Sequence, residues 1–391
     1  MQVRKVYFDH NATTPVRKEV QEAILPFTFE EFGNPSSIHW AGREVRKKVE
    51  WAREKVAAFF GCEPAEISFT SSGTESDNIA IKGIAFKNMD QKGHIITSSV
   101  EHPAVIKSCG SLQKMGFEVT YLPVGKDGIV DPDDLKKSIR NDTLLITIMY
   151  ANNETGAINP VREIARISRE HEIPFHTDAV QAIGKIPARI EDVDADIVTF
   201  SGHKINALKG IGGIYVKRGL HLEPLIHGGH QERGRRAGTE NVVGIVSMGR
   251  AFELIASEWE EEAKEVKRLR DKFELGLLEK VPDIYVNGSR EWRLPNTTNI
   301  AFRFIEGEAL LVSLDMVGIG LSTGSACTSG STEPSYVLTG MRVDPIDAQG
   351  SLRFSLGYGN TDEDVDYALE KIPEIVSRLR SLSPIYKAKA N

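Results

Sequence analysis

Between Ala65 and Val216, short apolar runs alternate with stretches of helical character. The runs are Ile67–Thr70, His94–Thr97, Glu118–Tyr121, Leu144–Ile148, Pro174–Thr177, Ile197–Phe200 and Gly213–Val216. Most are bounded by turn or helix signals. This alternation predicts an α/β fold with a mainly parallel seven-stranded sheet and helices on both faces. Ligands of such sheets gather at the carboxyl ends of the strands, so residues directly after a strand carry the most weight.

The pattern then changes. From about Val242 to Leu278, Phe252, Ile255, Trp259, Ala263, Val266, Phe273 and Leu277 recur near three- or four-residue spacing, which predicts one long helix. The run Glu258–Glu262 is expected to be a solvated face of it. After Pro282, Thr298–Phe304 and Ser351–Leu356 read as strands of a second, smaller α+β domain, joined to the first by the long helix. The tail Lys387–Asn391 is polar and expected to fray.

Composition narrows the function. With 48 Lys and Arg against 55 Asp and Glu, the net charge is −7, which argues against a nucleic-acid-gripping protein. The longest apolar run, Leu144–Ala151, contains Thr147 and falls short of the ~20 residues a membrane span needs. The N-terminal stretch has no apolar core of a signal peptide, so a cytoplasmic location is expected. The three cysteines, Cys62, Cys109 and Cys327, are far apart and form no Cys-x-x-Cys. A disulfide framework or a metal site is therefore not expected.

Several residues after strands could carry chemistry. Asp178 ends the run His176–Asp178, with Gln181 three residues on, and lies 26 residues before Lys204 in Ser201-Gly202-His203-Lys204. One crossover unit separates them, so adjacent parallel strands would bring both to one sheet edge. The pair reads either as a structural ion pair or as a nucleophilic lysine with a carboxylate for a protonated pyridine nitrogen, which pyridoxal phosphate (PLP) demands. Gly73 and Thr74 open a helix and read as a plain cap or as a phosphate cradle. His102 is either a structural histidine or a ring-stacking proton carrier. Arg233–Asn241 is a basic loop or a second anion site. Arg353 is a surface arginine or a carboxylate clamp. Cys327, in Ser-Thr-Gly-Ser-Ala-Cys-Thr-Ser-Gly-Ser, is expected on an exposed mobile loop, whereas Cys62 and Cys109 look like packing cysteines.

Together these residues closely resemble the cysteine desulfurases of the NifS/IscS type, fold-type I PLP enzymes of the class V aminotransferase group. The resemblance runs from Tyr-Phe-Asp-His-Asn-Ala-Thr-Thr-Pro at Tyr7 to about Pro384. It includes the motifs at Gly33, Ser71, Glu101, Ala151, His176, Ser201, Gly228 and Gly324. It implies a large PLP-binding domain over 15–260. Residues 1–14 and 261–391 would form the small domain, with the cysteine loop at about 321–334. It implies PLP on Lys204, Asp178 at the pyridine nitrogen, Gln181 at the phenolic oxygen and His102 stacked on the ring. Gly73, Thr74, Ser201 and His203 would hold the phosphate, with Thr239 arriving from a second subunit of a homodimer. Asn153 and Arg353 would bind the carboxylate of L-cysteine. Cys327 would attack its sulfur, release L-alanine and pass the persulfide to an iron–sulfur scaffold protein or another acceptor. An aminotransferase has no need of Cys327, and selenocysteine lyase is compatible as a side activity. Neither a metal, nucleic acid nor a membrane is expected as a partner. After Lys204 this chain reads Ile205-Asn206-Ala207-Leu208, where relatives show an aromatic or His, then Gly or Ala, then Pro. Losing that proline is expected to loosen the loop.

Overall fold

The computed structural model describes residues 4–323, 333–383 and 386. Cys327, the centre of the 321–334 loop and the tail Lys387–Asn391 lie outside the described residues. A first short strand, β1 (Val6–Tyr7), precedes the central sheet. That sheet comprises β2 (Ile67–Thr70), β3 (His94–Ser98), β4 (Glu118–Leu122), β5 (Thr143–Thr147), β6 (Phe175–Asp178), β7 (Ile197–Ser201) and β8 (Gly212–Val216). Its order is β2-β8-β7-β6-β5-β3-β4. Strands β4, β3, β5, β6 and β7 pair in parallel, and β8 runs antiparallel to both β7 and β2. The reversal has a local cause. Only Gly202–Ile211 joins β7 to β8, too little chain for the parallel crossover of a dozen or more residues.

A second sheet follows, with β9 (Ile284–Val286), β10 (Thr297–Phe302) and, beyond β11 (Ile319–Gly320), β12 (Ser351–Ser355). Its order is β12-β10-β9, all antiparallel, while β11 pairs in parallel with β1. Strand β10 stops two residues before the sequence reading, because Phe304 takes a left-handed backbone (φ +70°) that breaks extension.

Helix Val242–Lys280 belongs to two hydrophobic cores in turn. Its first third buries Ile245, Met248, Ala251, Phe252 and Leu254 against the large sheet's core. There Phe59, Phe60, Phe200 and Phe252 form a tilted and edge-to-face aromatic cluster with centroids 5.1–5.7 Å apart. Gly249 lets helix Trp40–Phe60 approach closely, since a Cβ there would stand 2.6 Å from Ala52 Cα. The last third buries Val266, Leu269, Phe273 and Leu277 with Val6, Phe8, Ile300, Leu352 and Phe354. The middle is not the fully solvated face the acidic run suggests. Glu258 and Glu262 both accept from the buried guanidinium of Arg17, which also lies 4.0 Å over the Tyr358 ring. An arginine drawn into the junction needs anionic partners, and these two glutamates supply them.

The segment before that helix is fixed by a buried ion pair. Glu232 and Arg233 take left-handed backbones (φ +47° and +58°). Glu232 accepts from both terminal nitrogens of Arg53 at 2.7 and 2.9 Å and from the Phe69 amide at 2.9 Å. Arg53 and Glu232 are 2% and 6% exposed, so neither charge can fall back on water. Glu232→Ala is therefore expected to lower unfolding free energy by about 3–5 kcal/mol, the cost of stranding a buried charge. Urea denaturation measures it, and a loss under about 1 kcal/mol contradicts the assignment.

Candidate active site

Strands β6 and β7 are adjacent and parallel, with Asp178 opposite Thr199. This register places Asp178 and, one turn beyond Ser201, Lys204 at the same sheet edge. Gly73, Thr74, His102, Asn153, Asp178, Gln181, Ser201, His203, Lys204 and Arg353 line one cavity of about 310 Å³ there. Thr239 lines a different cavity, with Thr70, Ser71 and Arg236. Cys327 is outside the described residues.

Lys204 Nζ donates to the carbonyl of Ala12 at 2.8 Å and to that of Asn11. The loop after it is anchored, which corrects the expectation from the missing proline. Asn206 takes a left-handed conformation (φ +63°), for which Asn is among the best-suited residues after Gly. Its amide donates to Thr14 Oγ1 and its side chain to the Pro15 carbonyl, both at 2.8 Å, and its own carbonyl accepts from Arg17 N–H. Ile205 and Ala207 are buried on either side.

The helix Gly73–Lys87 starts at the cavity wall. The Ser72 hydroxyl accepts from the Glu75 amide, and Gly73 and Thr74 are the first two helical residues. First-turn amides have no partner within the helix and carry its positive end, so they suit an anion. His203 contributes little charge, because burial, with Lys204 next, pushes its pKa down to about 4.

His102 caps helix Pro103–Lys114, its Nδ1 accepting from the Ala104 amide at 3.1 Å. Burial lowers its pKa, Asp178 opposes this, and Lys204 adds to it. The ring is thus neutral at neutral pH. Because Nδ1 accepts, the proton sits on Nε2, and His102 offers a donor rather than a free lone pair.

Under the cavity lies a buried carboxylate pair that the sequence reading half missed. Among the described residues, Asp77, His102 and Asp178 bring their ligand atoms within 4.8 Å of one another. Burial, with repulsion from Asp178, holds Asp77 well above the usual carboxylate range, and Thr199 donates to it at 2.6 Å. Burial also raises Asp178, but His102, the Val180 amide (2.9 Å) and Lys204 pull it back. Both carboxyls are thus raised, Asp77 the further of the two. The nearby His176 is pushed down to about 3 by burial and stays neutral. Nothing in the Thr-Glu-Ser-Asp-Asn stretch marks Asp77, because its meaning comes from the strand beneath it.

Arg353, on β12, donates to Asp9 Oδ1 at 2.7 Å and to the Asn153 carbonyl at 3.0 Å. Asn11 is a further residue that sequence reasoning missed. It is 1% exposed, and its carbonyl accepts from both Lys204 and Gln181. The motif at Tyr7 was its visible signal, but no chemistry in it pointed to a role for a backbone carbonyl. Cys109 is buried and Cys62 partly so, and burial pushes both thiols up to about 12. At neutral pH both are un-ionised and poor nucleophiles.

The sequence profile of the Aminotransferase class-V family matches residues 6–368. A cysteine desulfurase IscS of Dictyoglomus turgidum is 52% identical over 97% of this chain and 97% of its own length. Another of that name, from Methanosarcina thermophila, is 54% identical over 98% and 94%. Among solved structures, a NifS-like protein has a TM-score of 0.91 and 43% identity, covering 96% of this chain and all of its own. SspA in complex with cysteine has a TM-score of 0.82 and 38% identity, covering 90% and 99%.

Two measurements check the site. Nitrogen-15 spectra should show His102 with its proton on Nε2 at pH 7, titrating below the ordinary 6.5; a protonated ring at pH 7 contradicts this. Both Asn206→Gly and Asn206→Ala lose the side-chain hydrogen bond to Pro15, but Asn206→Ala should cost about 1–2 kcal/mol more through left-handed strain. Equal effects of the two in denaturant titrations would remove the argument for Asn206.

Proposed function

Because this chain belongs to the class-V aminotransferase family and is a cysteine desulfurase, we propose that its cavity holds PLP on Lys204 and that Cys327 receives the sulfur of L-cysteine. The observation that carries the site assignment is the meeting of a lysine amine, a buried carboxylate and a helix start in one cavity. Each suits a different part of the cofactor. The Gly73 and Thr74 amides, with Ser201 and His203, suit the phosphate. Among the described residues Asp178 makes no ion pair, and it suits a protonated ring nitrogen. Gln181 suits the phenolic oxygen. Thr239, in its separate cavity, would complete the phosphate cradle of a partner subunit in a homodimer.

When bound, PLP supplies an electron sink for the carbon next to the substrate amine. The chain does the rest. Asn153 and Arg353 hold the substrate carboxylate, and Asp9 keeps the guanidinium oriented for it. Lys204 would move a proton at the substrate's α carbon. His102 would lie against the ring and could donate from Nε2. The Cys327 sulfur attacks the substrate sulfur, the Cβ–S bond breaks, and its electron pair stays with Cβ, which gains a proton. L-alanine leaves, and the sulfur stays on Cys327 as a persulfide. One thiol hydrogen stays on the outer sulfur and the other balances the alanine methyl, so no outside reductant is needed in this half.

SspA, solved with cysteine, supports that substrate, and the IscS name of the relatives supports delivery to an iron–sulfur scaffold or another sulfur acceptor. The two-domain division at 1–14, 15–260 and 261–391, and a cytoplasmic location, complete this reading. Among the described residues no helix is long and apolar enough to cross a membrane.

Borohydride reduction of the yellow protein should leave a pyridoxyl adduct on Lys204. Cys327→Ser should abolish sulfide release from cysteine while keeping the cofactor spectrum, and Cys62→Ala and Cys109→Ala should keep turnover. An adduct elsewhere, or normal turnover by Cys327→Ser, overturns the assignment.

A further inference from the structure

Behind Lys204, between the two cores, lies a second cavity into which Lys185 reaches. A lysine held there needs acceptors. Among the described residues Lys185 makes no ion pair. Its Nζ lies 3.0 Å from the backbone oxygen of Gln181 and 3.2 Å from Gln181 Oε1, and both atoms are acceptors, so Nζ donates to both. The amide of Gln181 is thereby locked. With Oε1 facing Lys185, Nε2 faces the other way and donates to the Asn11 carbonyl at 3.0 Å. An amide nitrogen has two hydrogens, so one is left for the cavity.

We propose that Lys185 is a positioning residue of the cofactor site: it fixes the Gln181 carboxamide with its nitrogen toward the phenolic oxygen, and so weakens the hold of the Lys204–cofactor linkage on its proton. This rests on the cofactor reading given above. Two effects act in the same direction. A hydrogen bond from Gln181 drains charge from the phenolic oxygen, which is the linkage's own counter-ion. While Lys185 is protonated, its charge also disfavours a second positive charge at Lys204. The surroundings make Lys185 responsive. Burial pushes its pKa down to about 7, Lys204 adds to this, Glu262 opposes it, and Arg353 adds again. His10, facing it from the N-terminal segment, is itself pushed down to about 4 by burial and by Lys185. Glu262 is shared with Arg17, so it does not neutralise Lys185 alone. The donor role survives in either protonation state, because amine and ammonium both carry N–H bonds.

The test is a spectrophotometric pH titration of the holoenzyme, with melting curves as a control for folding. Lys185→Met should raise the midpoint of the cofactor's pH-dependent absorbance change by about one pH unit, a tenfold firmer hold on the proton. Lys185→Ala should move it the same way, which keeps the test available if one variant folds poorly. Lys185→Arg, which keeps donors and charge, should restore the wild-type midpoint. An unchanged or lowered midpoint in folded Lys185→Met and Lys185→Ala overturns the proposal. A wild-type protein with no cofactor absorbance at all removes the cofactor reading, and this inference with it.

Discussion

The buried Asn11 holds the two halves of this protein in register. Its carbonyl accepts from Lys204 and Gln181 at the large sheet's edge. Its side chain donates to Thr297 Oγ1 at 2.8 Å and to the Asn153 carbonyl at 3.1 Å, and accepts from Asn296 at 2.9 Å. One side chain and its peptide thus tie β10, the loop after β5 and Lys204 to a single point. The neighbouring residues repeat the theme. Asp9 holds Arg353, and Thr14 holds both the His203 carbonyl and the Asn206 amide. Buried polar groups tolerate little displacement, because a stretched bond leaves a donor stranded in low dielectric. The N-terminal segment therefore sets how the small sheet meets the cavity.

Charge is distributed around the cavity by the same logic. Buried acids and bases are kept neutral unless a specific partner holds them charged. Glu101 is pushed up to about 8 by burial, although Ser98 and the Met149 amide donate to it, and so pins β3 to the turn after β5 largely as an acid. Burial likewise raises Asp77 and keeps His176 neutral. Asp178 is raised less far, opposed by the Val180 amide and Lys204, and it lines the same cavity as Lys204 and His102.

The loop after Lys204 shows how a departure from a family pattern is absorbed. Read linearly, Ile-Asn-Ala-Leu lacks the proline that stiffens the chain. In space Asn206 does the work by another route, combining a left-handed backbone with three hydrogen bonds to residues almost two hundred positions away in sequence. The acidic run Glu258–Glu262 is solvated at Glu260 and Glu261, but Glu258 and Glu262 turn to Arg17 for a similar reason. Periodicity shows which face of a helix is polar, and it does not show that a buried arginine lies across from it.

Much of the molecule was legible beforehand. The seven apolar runs correspond to the central strands, because burying a strand demands apolar residues locally. The residues placed after those strands converge on one cavity, because parallel connectivity forces their carboxyl ends to a common edge. Identity, order and spacing of Lys204, Asp178, His102 and Cys327 were sequence properties. The antiparallel turn of β8, the raised pKa of Asp77, the tautomer of His102 and the contact of Lys185 with Gln181 were not. Each depends on a partner brought in by folding. A pKa or an amide orientation belongs to an environment rather than to a residue, so only the tertiary structure decided them.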